Sequence, residues 1–261
     1  MNERKTAAPR KPARRRRRTA LLILAAALVL LILATWLYLS DYYHAEPAAA
    51  EVIAHPAEGV TIRQAKGRID FVPDKPVAGL IFYPGGKVEY TAYAPLMEAC
   101  AERGVLCVLL KMPGNLAVLD QNAADGVAAD YPEIDLWYVG GHSLGGSIAA
   151  TYAGKHASDL AGLVLLAAYS TDDLTDTGLR VLSVYGTEDG VLNRDRYDSN
   201  RENLPTGTVE VVIDGGCHSY FGSYGMQKGD GAPTISREAQ IAQTADAIAA
   251  LVSAPALEAA A

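Results

Sequence analysis

The chain has 261 residues, half of them apolar, so one globular domain of ordinary size is expected beside any targeting segment. Residues 1–18 hold nine of the 23 basic residues and one of the 30 acidic residues, which leaves 14 basic against 29 acidic side chains in the rest. An acidic body argues against nucleic-acid binding, because that binding depends on Lys and Arg at phosphates. Cys100, Cys107 and Cys217 are too few for a disulfide scaffold or a paired zinc motif.

The first predicted element is a membrane helix. Residues 20–39 carry no charge, and they have the length needed to cross about 30 Å of hydrocarbon. Five consecutive arginines at 14–18 precede this segment, and the next basic residue after it is Arg63. The positive-inside rule therefore predicts a basic cytoplasmic tail over residues 1–18 and a transmembrane helix over 19–40. The body is then expected on the extracytoplasmic side of the cell membrane, held there by a single span.

A cleaved signal peptide is the alternative interpretation of the same segment. Small residues at 48–50 could serve as a cleavage site, and secretory signals are apolar too. Their apolar regions usually run for only about 7 to 15 residues, which favours an uncleaved anchor here. Under either interpretation the body of the protein lies outside the cytoplasm.

The remainder predicts an α/β domain over residues 57–254, between an Ala- and Pro-containing linker at 41–56 and a tail at 255–261. Short apolar runs alternate with segments of helical periodicity, and this rhythm predicts a mostly parallel central sheet with helices on both faces. Two weaker runs at the start could form an antiparallel hairpin. The apolar runs cover residues 77–83, 105–110, 136–139, 160–168, 181–185 and 209–213, the helical segments cover 93–103, 116–129, 144–155 and 236–252, and the hairpin covers 60–63 and 67–72.

The segment GHSLG at residues 141–145 stands between an apolar run and a helical segment. A serine in such a strand-to-helix turn needs flanking glycines, because the turn is strained and the two elements approach closely. The turn exposes the Ser143 hydroxyl and places the Leu144 amide at a helix N-terminus, where it can stabilise an oxyanion. Ser143 is therefore the candidate nucleophile; the alternative is a serine that only caps a helix.

A serine hydroxyl needs a base, and the base needs an acid to orient it, in the chain order serine, acid, histidine. His218 is the one histidine downstream of any candidate acid, and it follows the last apolar run. Asp189 follows the run before and is the preferred acid, with Glu188 and Asp214 as rivals. The alternatives are a turn-forming role for Asp189 and a surface-loop histidine at His218.

The second half of an oxyanion hole is expected in the loop after the third strand, where the sequence reads YPGGK. Glycines there let a backbone amide approach a substrate. Gly86 is the first choice as donor and Lys87 the second. Lys87 could instead form a surface ion pair with Glu89.

Together these segments resemble the α/β-hydrolase superfamily, and within it the small lidless group that includes dienelactone-hydrolase-like proteins. The resemblance implies hydrolysis of an ester or related acyl bond by Ser143, His218 and Asp189. Dienelactone hydrolases proper use a cysteine nucleophile, so their substrate does not carry over to a serine. The segments that carry the resemblance are FYPGGKV at 82–88, GGHSLGG at 140–146, YGTEDG at 185–190 and GGCH at 215–218.

The predicted function is a serine carboxylic ester hydrolase that acts on a small or surface-accessible ester. The dozen polar residues at 169–180 leave no room for a cap domain. The loop at 219–235 is expected to line the pocket or pack over it, and the alternative is a structural Ω-loop. No metal or organic cofactor is implied. The alternatives are an acyltransferase that acts on a cell-envelope acceptor and a non-catalytic binding protein with this fold.

Overall fold

A computed structural model describes residues 13–254, and these divide into two compact units at the boundary between Asp41 and Tyr42. The first unit contains helix α1, Ala13–Ser40. Its stretch Arg17–Ser40 is long and apolar enough to span a membrane, and an 18-residue window within it has a mean hydropathy of 2.8. The predicted apolar helix is therefore present, whereas residues 1–12 of the predicted basic tail and the predicted tail at 255–261 lie outside the described residues.

The second unit is built on a sheet of eight strands within the described part of the chain. Neighbouring strands follow the order β1-β2-β4-β3-β5-β6-β7-β8. The first hairpin and the pairing of β2 with β4 are antiparallel, and every other pairing is parallel. The strands are β1 Val60–Ala65, β2 Arg68–Pro73, β3 Ala78–Tyr83, β4 Val105–Leu110, β5 Trp137–His142, β6 Gly162–Leu166, β7 Arg180–Gly186 and β8 Val209–Ile213.

Alternate residues of the central strands face two separate cores. In β3, Leu80 and Phe82 belong to one cluster of buried residues, whereas Ile81 and Tyr83 belong to the other. A strand with both faces buried must be apolar throughout, which explains why these runs are continuous and not alternating. Helices cover both faces, and the predicted mostly parallel α/β architecture is confirmed.

Five helices in the described part of the second unit pack on the sheet or connect its strands. Helices α3 and α6 contribute to the first core, with α2 packed beside α3, and α4 contributes to the second core. Residues 167–179 connect β6 to β7 without a helix or strand, so no cap stands there. The helices are α2 Pro47–Ala54, α3 Ala94–Ala101, α4 Leu144–Lys155, α5 Arg194–Ser199 and α6 Arg237–Ser253.

Two segments differ from the sequence-based expectation. The predicted helix at 116–129 is a series of turns that includes short 3-10 helices at Ala117–Leu119 and Ala128–Asp130, with Gly126 at a φ of +75° that no α-helix accommodates. The predicted linker at 41–56 is instead part of the domain from Tyr42 onward, because it forms α2 and buries Ala49 completely.

Candidate active site

Ser143 occupies the sharp turn between β5 and α4 with a φ of +53°, a value that non-glycine residues rarely adopt. The turn is tight because its glycines touch backbone. A Cβ at Gly145 would lie 2.2 Å from the Pro84 carbonyl oxygen, and one at Gly141 would lie 2.6 Å from Gly145. The strained turn leaves Ser143 half-buried at the start of a helix, as the sequence predicts for a nucleophile turn.

Asp189 and His218 lie together beyond the carboxyl ends of β7 and β8. Oδ2 of Asp189 is 2.9 Å from Nδ1 of His218, and both side chains are only 1% exposed. The other carboxylate oxygen accepts the amides of Val191 at 2.9 Å and Leu192 at 2.7 Å, which fixes the carboxylate orientation. A carboxylate in this position holds the imidazole with Nε2 available as a base.

The rival acids lie elsewhere. Asp214 and Glu188 are both exposed, and Glu188 Oε1 accepts a hydrogen bond from the Thr187 hydroxyl. Of the three candidates, Asp189 is the one with a hydrogen bond to the His218 ring.

Ser143 and His218 line the same pocket but are not hydrogen-bonded to each other. Nε2 of His218 is buried and makes no hydrogen bond with any described residue. Hydrogen bonds between a nucleophile and its base are often loose without substrate and tighten in the complex. The structure thus brings the three residues to one site with only the Asp189–His218 contact formed.

The loop after β3 distinguishes the two candidate oxyanion donors. The Lys87 amide donates to the Asn115 carbonyl at 2.8 Å, so this amide is engaged by the main chain. Gly86 lies against the Leu144 side chain, because a Cβ at Gly86 would meet its Cδ2 at 2.8 Å. Gly86 therefore remains the candidate partner of the Leu144 amide.

The pocket beside Ser143 has a volume of about 210 Å³. Its walls are largely small or apolar, and no residue of the loop at 219–235 is among those that line it. That loop contacts the backbone of His218 through Asp230. The lining residues are Ser143, Leu144, Ser147, Ala167, Ala168, Tyr169, Val191, Leu192, Asn193 and His218.

Sequence reasoning missed a buried pair next to the base. The ring centroids of His142 and His218 are 4.4 Å apart, and Nδ1 of His142 is 2.8 Å from the Tyr93 phenol oxygen. Burial, together with the neighbouring His218, holds the pKa of His142 well below its usual value, so this ring is neutral. The adjacency of His142 to Ser143 was the only signal in the sequence.

The cysteines do not take part in this chemistry. All three are buried, with free thiols. Cys217 precedes His218, but burial raises the pKa of its thiol to about 12, which keeps it protonated. Among the described residues, no group of three or more His, Cys, Asp or Glu side chains could hold a metal ion.

The sequence model of the alpha/beta hydrolase family matches residues 79–242, which span the sheet from β3 onward and include Ser143, Asp189 and His218. The chain belongs to the alpha/beta hydrolase family. No curated protein matches the chain significantly.

Solved structures share the fold of this family member at low sequence identity. A Thermus thermophilus protein is 14% identical with a TM-score of 0.56, over 75% of this chain and 99% of its own. A bacterial membrane phospholipase A is 14% identical with a TM-score of 0.55, and the match covers 92% of this chain and 100% of the phospholipase chain. A dienelactone hydrolase from Anabaena variabilis is 14% identical with a TM-score of 0.54, and the match covers 72% of this chain and 97% of the dienelactone hydrolase chain. These likenesses show the fold alone.

Proposed function

We propose that this hydrolase is a serine esterase that cleaves a carboxylic ester through an acyl-enzyme. The observation that carries the proposal is the buried Asp189–His218 hydrogen bond at a pocket shared with Ser143. A structural histidine would not need both an orienting carboxylate and an Nε2 without a hydrogen bond at the pocket of a strained serine. The arrangement has the parts that nucleophilic catalysis by serine requires.

In the proposed reaction, Nε2 of His218 takes the proton of Ser143 as Oγ attacks the ester carbonyl carbon. The Asp189 carboxylate stabilises the imidazolium that forms. The Leu144 and Gly86 amides stabilise the oxyanion. The proton then passes from His218 to the leaving alcohol, which departs and leaves an ester on Ser143. Water then attacks that ester while Nε2 of His218 takes one of its protons, and His218 returns the proton to Ser143 Oγ as the carboxylic acid is released.

The pocket supports a small or accessible acyl group. Its volume of about 210 Å³ is below the range of roughly 300–1,000 Å³ that is usual for ligand sites. The β6–β7 connection adds no cap above it. A long acyl chain would therefore extend out of the pocket into solvent, and short acyl esters are the proposed substrates.

We further propose that helix α1 anchors this esterase in the cell membrane with the catalytic domain on the extracytoplasmic side. The length and hydropathy of Arg17–Ser40 and the five arginines at 14–18 support this orientation. Protease added to intact cells should digest the domain while a cytoplasmic marker survives. Digestion only after lysis would contradict the orientation.

Fluorophosphonate labelling tests the nucleophile. The wild-type protein should label and should hydrolyse short p-nitrophenyl esters, and Ser143→Ala should do neither. Ser147→Ala is the matched control, because Ser147 lines the same pocket while its hydroxyl donates to the Tyr169 carbonyl. Labelling that persists in Ser143→Ala, or disappears in Ser147→Ala alone, would overturn the assignment.

A further inference from the structure

Asp230 receives an unusual number of hydrogen bonds for a side chain in a loop. Its Oδ1 accepts the amides of Gly190 at 3.2 Å, His218 at 3.2 Å and Gly231 at 2.9 Å. Its Oδ2 accepts the amide of Ser219 at 2.8 Å and the hydroxyl of the same residue at 2.6 Å. Five donors therefore converge on one carboxylate.

Four of these donors come from the two loops of the acid and base pair, and the fifth is the amide of the next residue, Gly231. Gly190 follows Asp189 directly, and Ser219 follows His218 directly. Asp230 thus binds backbone next to the acid and backbone at the base with the same carboxylate. A hydrogen bond to one of the two loops would leave the other free to move, whereas this arrangement fixes their separation.

Backbone packing supports the same connection independently. A Cβ at Gly231 would lie 2.0 Å from the Glu188 carbonyl oxygen, and one at Gly190 would lie 2.5 Å from the Gly229 carbonyl oxygen. The segment at 229–231 therefore lies directly against the loop that carries Asp189. Only glycine permits this approach, because any side chain would collide with main-chain atoms that cannot rotate away.

The Asp230 carboxylate is ionised at neutral pH. Burial alone would raise its pKa, but the hydrogen bonds from Ser219, Gly190 and His218 outweigh burial and hold the pKa below its ordinary value. Hydrogen bonds to an ionised acceptor are stronger than bonds between neutral groups. All five donors point at the charged form, so the neutral amide of asparagine cannot replace it.

We propose that Asp230 is a positioning residue that holds the Asp189 and His218 loops at the separation their hydrogen bond requires. The proposal rests on the proposed function in that His218 is taken as the base. Asp230 does not touch the His218 ring or the pocket; it acts through the backbone of the residues that do. Such precision matters because misplacement of a base by about 1 Å can cost roughly 10²-fold in rate.

The test compares Asp230→Asn with Asp173→Asn in the otherwise intact protein. Asp173 is the matched control, because its Oδ1 also accepts the amide and the hydroxyl of one residue, Thr175, at 3.0 and 2.6 Å. It is exposed and does not line the pocket. In Asp230→Asn we expect kcat and the fluorophosphonate labelling rate to fall at least tenfold with KM nearly unchanged, and in Asp173→Asn we expect neither to change.

A second measurement is independent of turnover. The proton between His218 Nδ1 and Asp189 should give a downfield proton resonance in NMR spectra of the wild-type protein, identified by its loss in Asp189→Asn. It should be lost or broadened in Asp230→Asn and kept in Asp173→Asn. Ser219→Ala removes one of the five donors, so it should give an intermediate loss, and it replaces Asp230→Asn if that variant does not fold.

The outcomes separate the two proposals. A wild-type protein that does not label contradicts the proposed function, while the resonance still decides the role of Asp230. Normal kcat in Asp230→Asn, or an unchanged resonance in Asp230→Asn and Ser219→Ala, overturns the positioning role. Lost activity with an unchanged resonance also overturns it, because the pair would then be intact.

Discussion

The phenol oxygen of Tyr93 lies 2.8 Å from Nδ1 of His142 and also accepts the Gly85 amide at 3.0 Å. One buried hydroxyl thus joins the loop of the candidate oxyanion donor to a ring that packs on His218. Burial raises the pKa of Tyr93, so the hydroxyl keeps its proton.

Tyr93→Phe should therefore destabilise the domain. It leaves the Gly85 amide and His142 Nδ1 buried without a partner, and the free energy of unfolding should fall by about 1–3 kcal/mol. Urea denaturation measures this directly. Tyr224→Phe is the matched control, because Tyr224 packs on Tyr93 and its buried hydroxyl makes no hydrogen bond with the described residues. Equal losses in the two variants would contradict the explanation.

His142 should make the fold sensitive to mild acid. Its pKa is lowered in the folded protein, so below the unfolded value of about 6.5 the unfolded chain takes up a proton that the folded chain does not. The contribution of neutral His142 to the free energy of unfolding is fully present above about pH 6.5, and it is lost as the pH falls below that value. Between pH 8 and pH 5, the urea midpoint should fall less steeply in His142→Gln than in the wild-type protein. The control variant His156→Gln should follow the wild-type protein. Parallel curves for wild type and His142→Gln would refute this.

Gly86→Ala should reduce turnover more than stability. The added Cβ meets the flexible end of the Leu144 side chain, which can rotate away, so the loss of stability should be small. The same contact pushes the backbone at residue 86 away from Leu144 and displaces the amide that is the candidate oxyanion donor. We expect kcat to fall by up to roughly 10²-fold, as for loss of one oxyanion donor. Gly154→Ala is the control, because its Cβ also meets a leucine side chain, that of Leu174 at 3.0 Å. An unchanged kcat would remove Gly86 from the site.

A soluble protein that starts at Tyr42 should be more stable than one that starts at Ala57. The longer protein keeps the buried Ala49, the bond from the Lys228 amide to the Tyr43 hydroxyl and the bond from the Glu46 amide to the Ser223 carbonyl. Their loss should cost at least about 2 kcal/mol, or roughly 4–8 °C in Tm for a domain of this size. Calorimetry of both proteins checks this. Equal Tm values would show that residues 42–56 are a spacer after all.

The sequence predicts those elements that have a clear apolar pattern or glycine spacing within their own residues. Strands β4 and β8 and helix α4 begin and end where the apolar pattern predicts. The turn at Ser143 and the loop at His218 also follow from position, because each lies beyond the carboxyl end of a strand in the parallel part of the sheet. In these places a side chain's neighbours along the chain are enough to decide its environment.

Features that depend on partners distant in the chain cannot be predicted from local sequence patterns. Residues 47–54 are rich in alanine and look like a linker, but alanine is small enough to pack closely on α3. Helix α5 was missed because its residues are mostly charged and its signal is a single cap at Asn193, whose side chain accepts the Arg196 amide. Asp230 stands between two glycines in a loop, and nothing local indicates its five donors.

The burial of all three thiols has a practical consequence for spectroscopy. Because Cys100, Cys107 and Cys217 are buried, a cysteine introduced at an exposed position would be the one readily accessible to a maleimide dye. Met226 is 45% exposed and lies in the same loop as Asp230. Fluorescence from a dye at Met226→Cys would follow, in real time, whether that loop stays still or moves while a substrate is turned over.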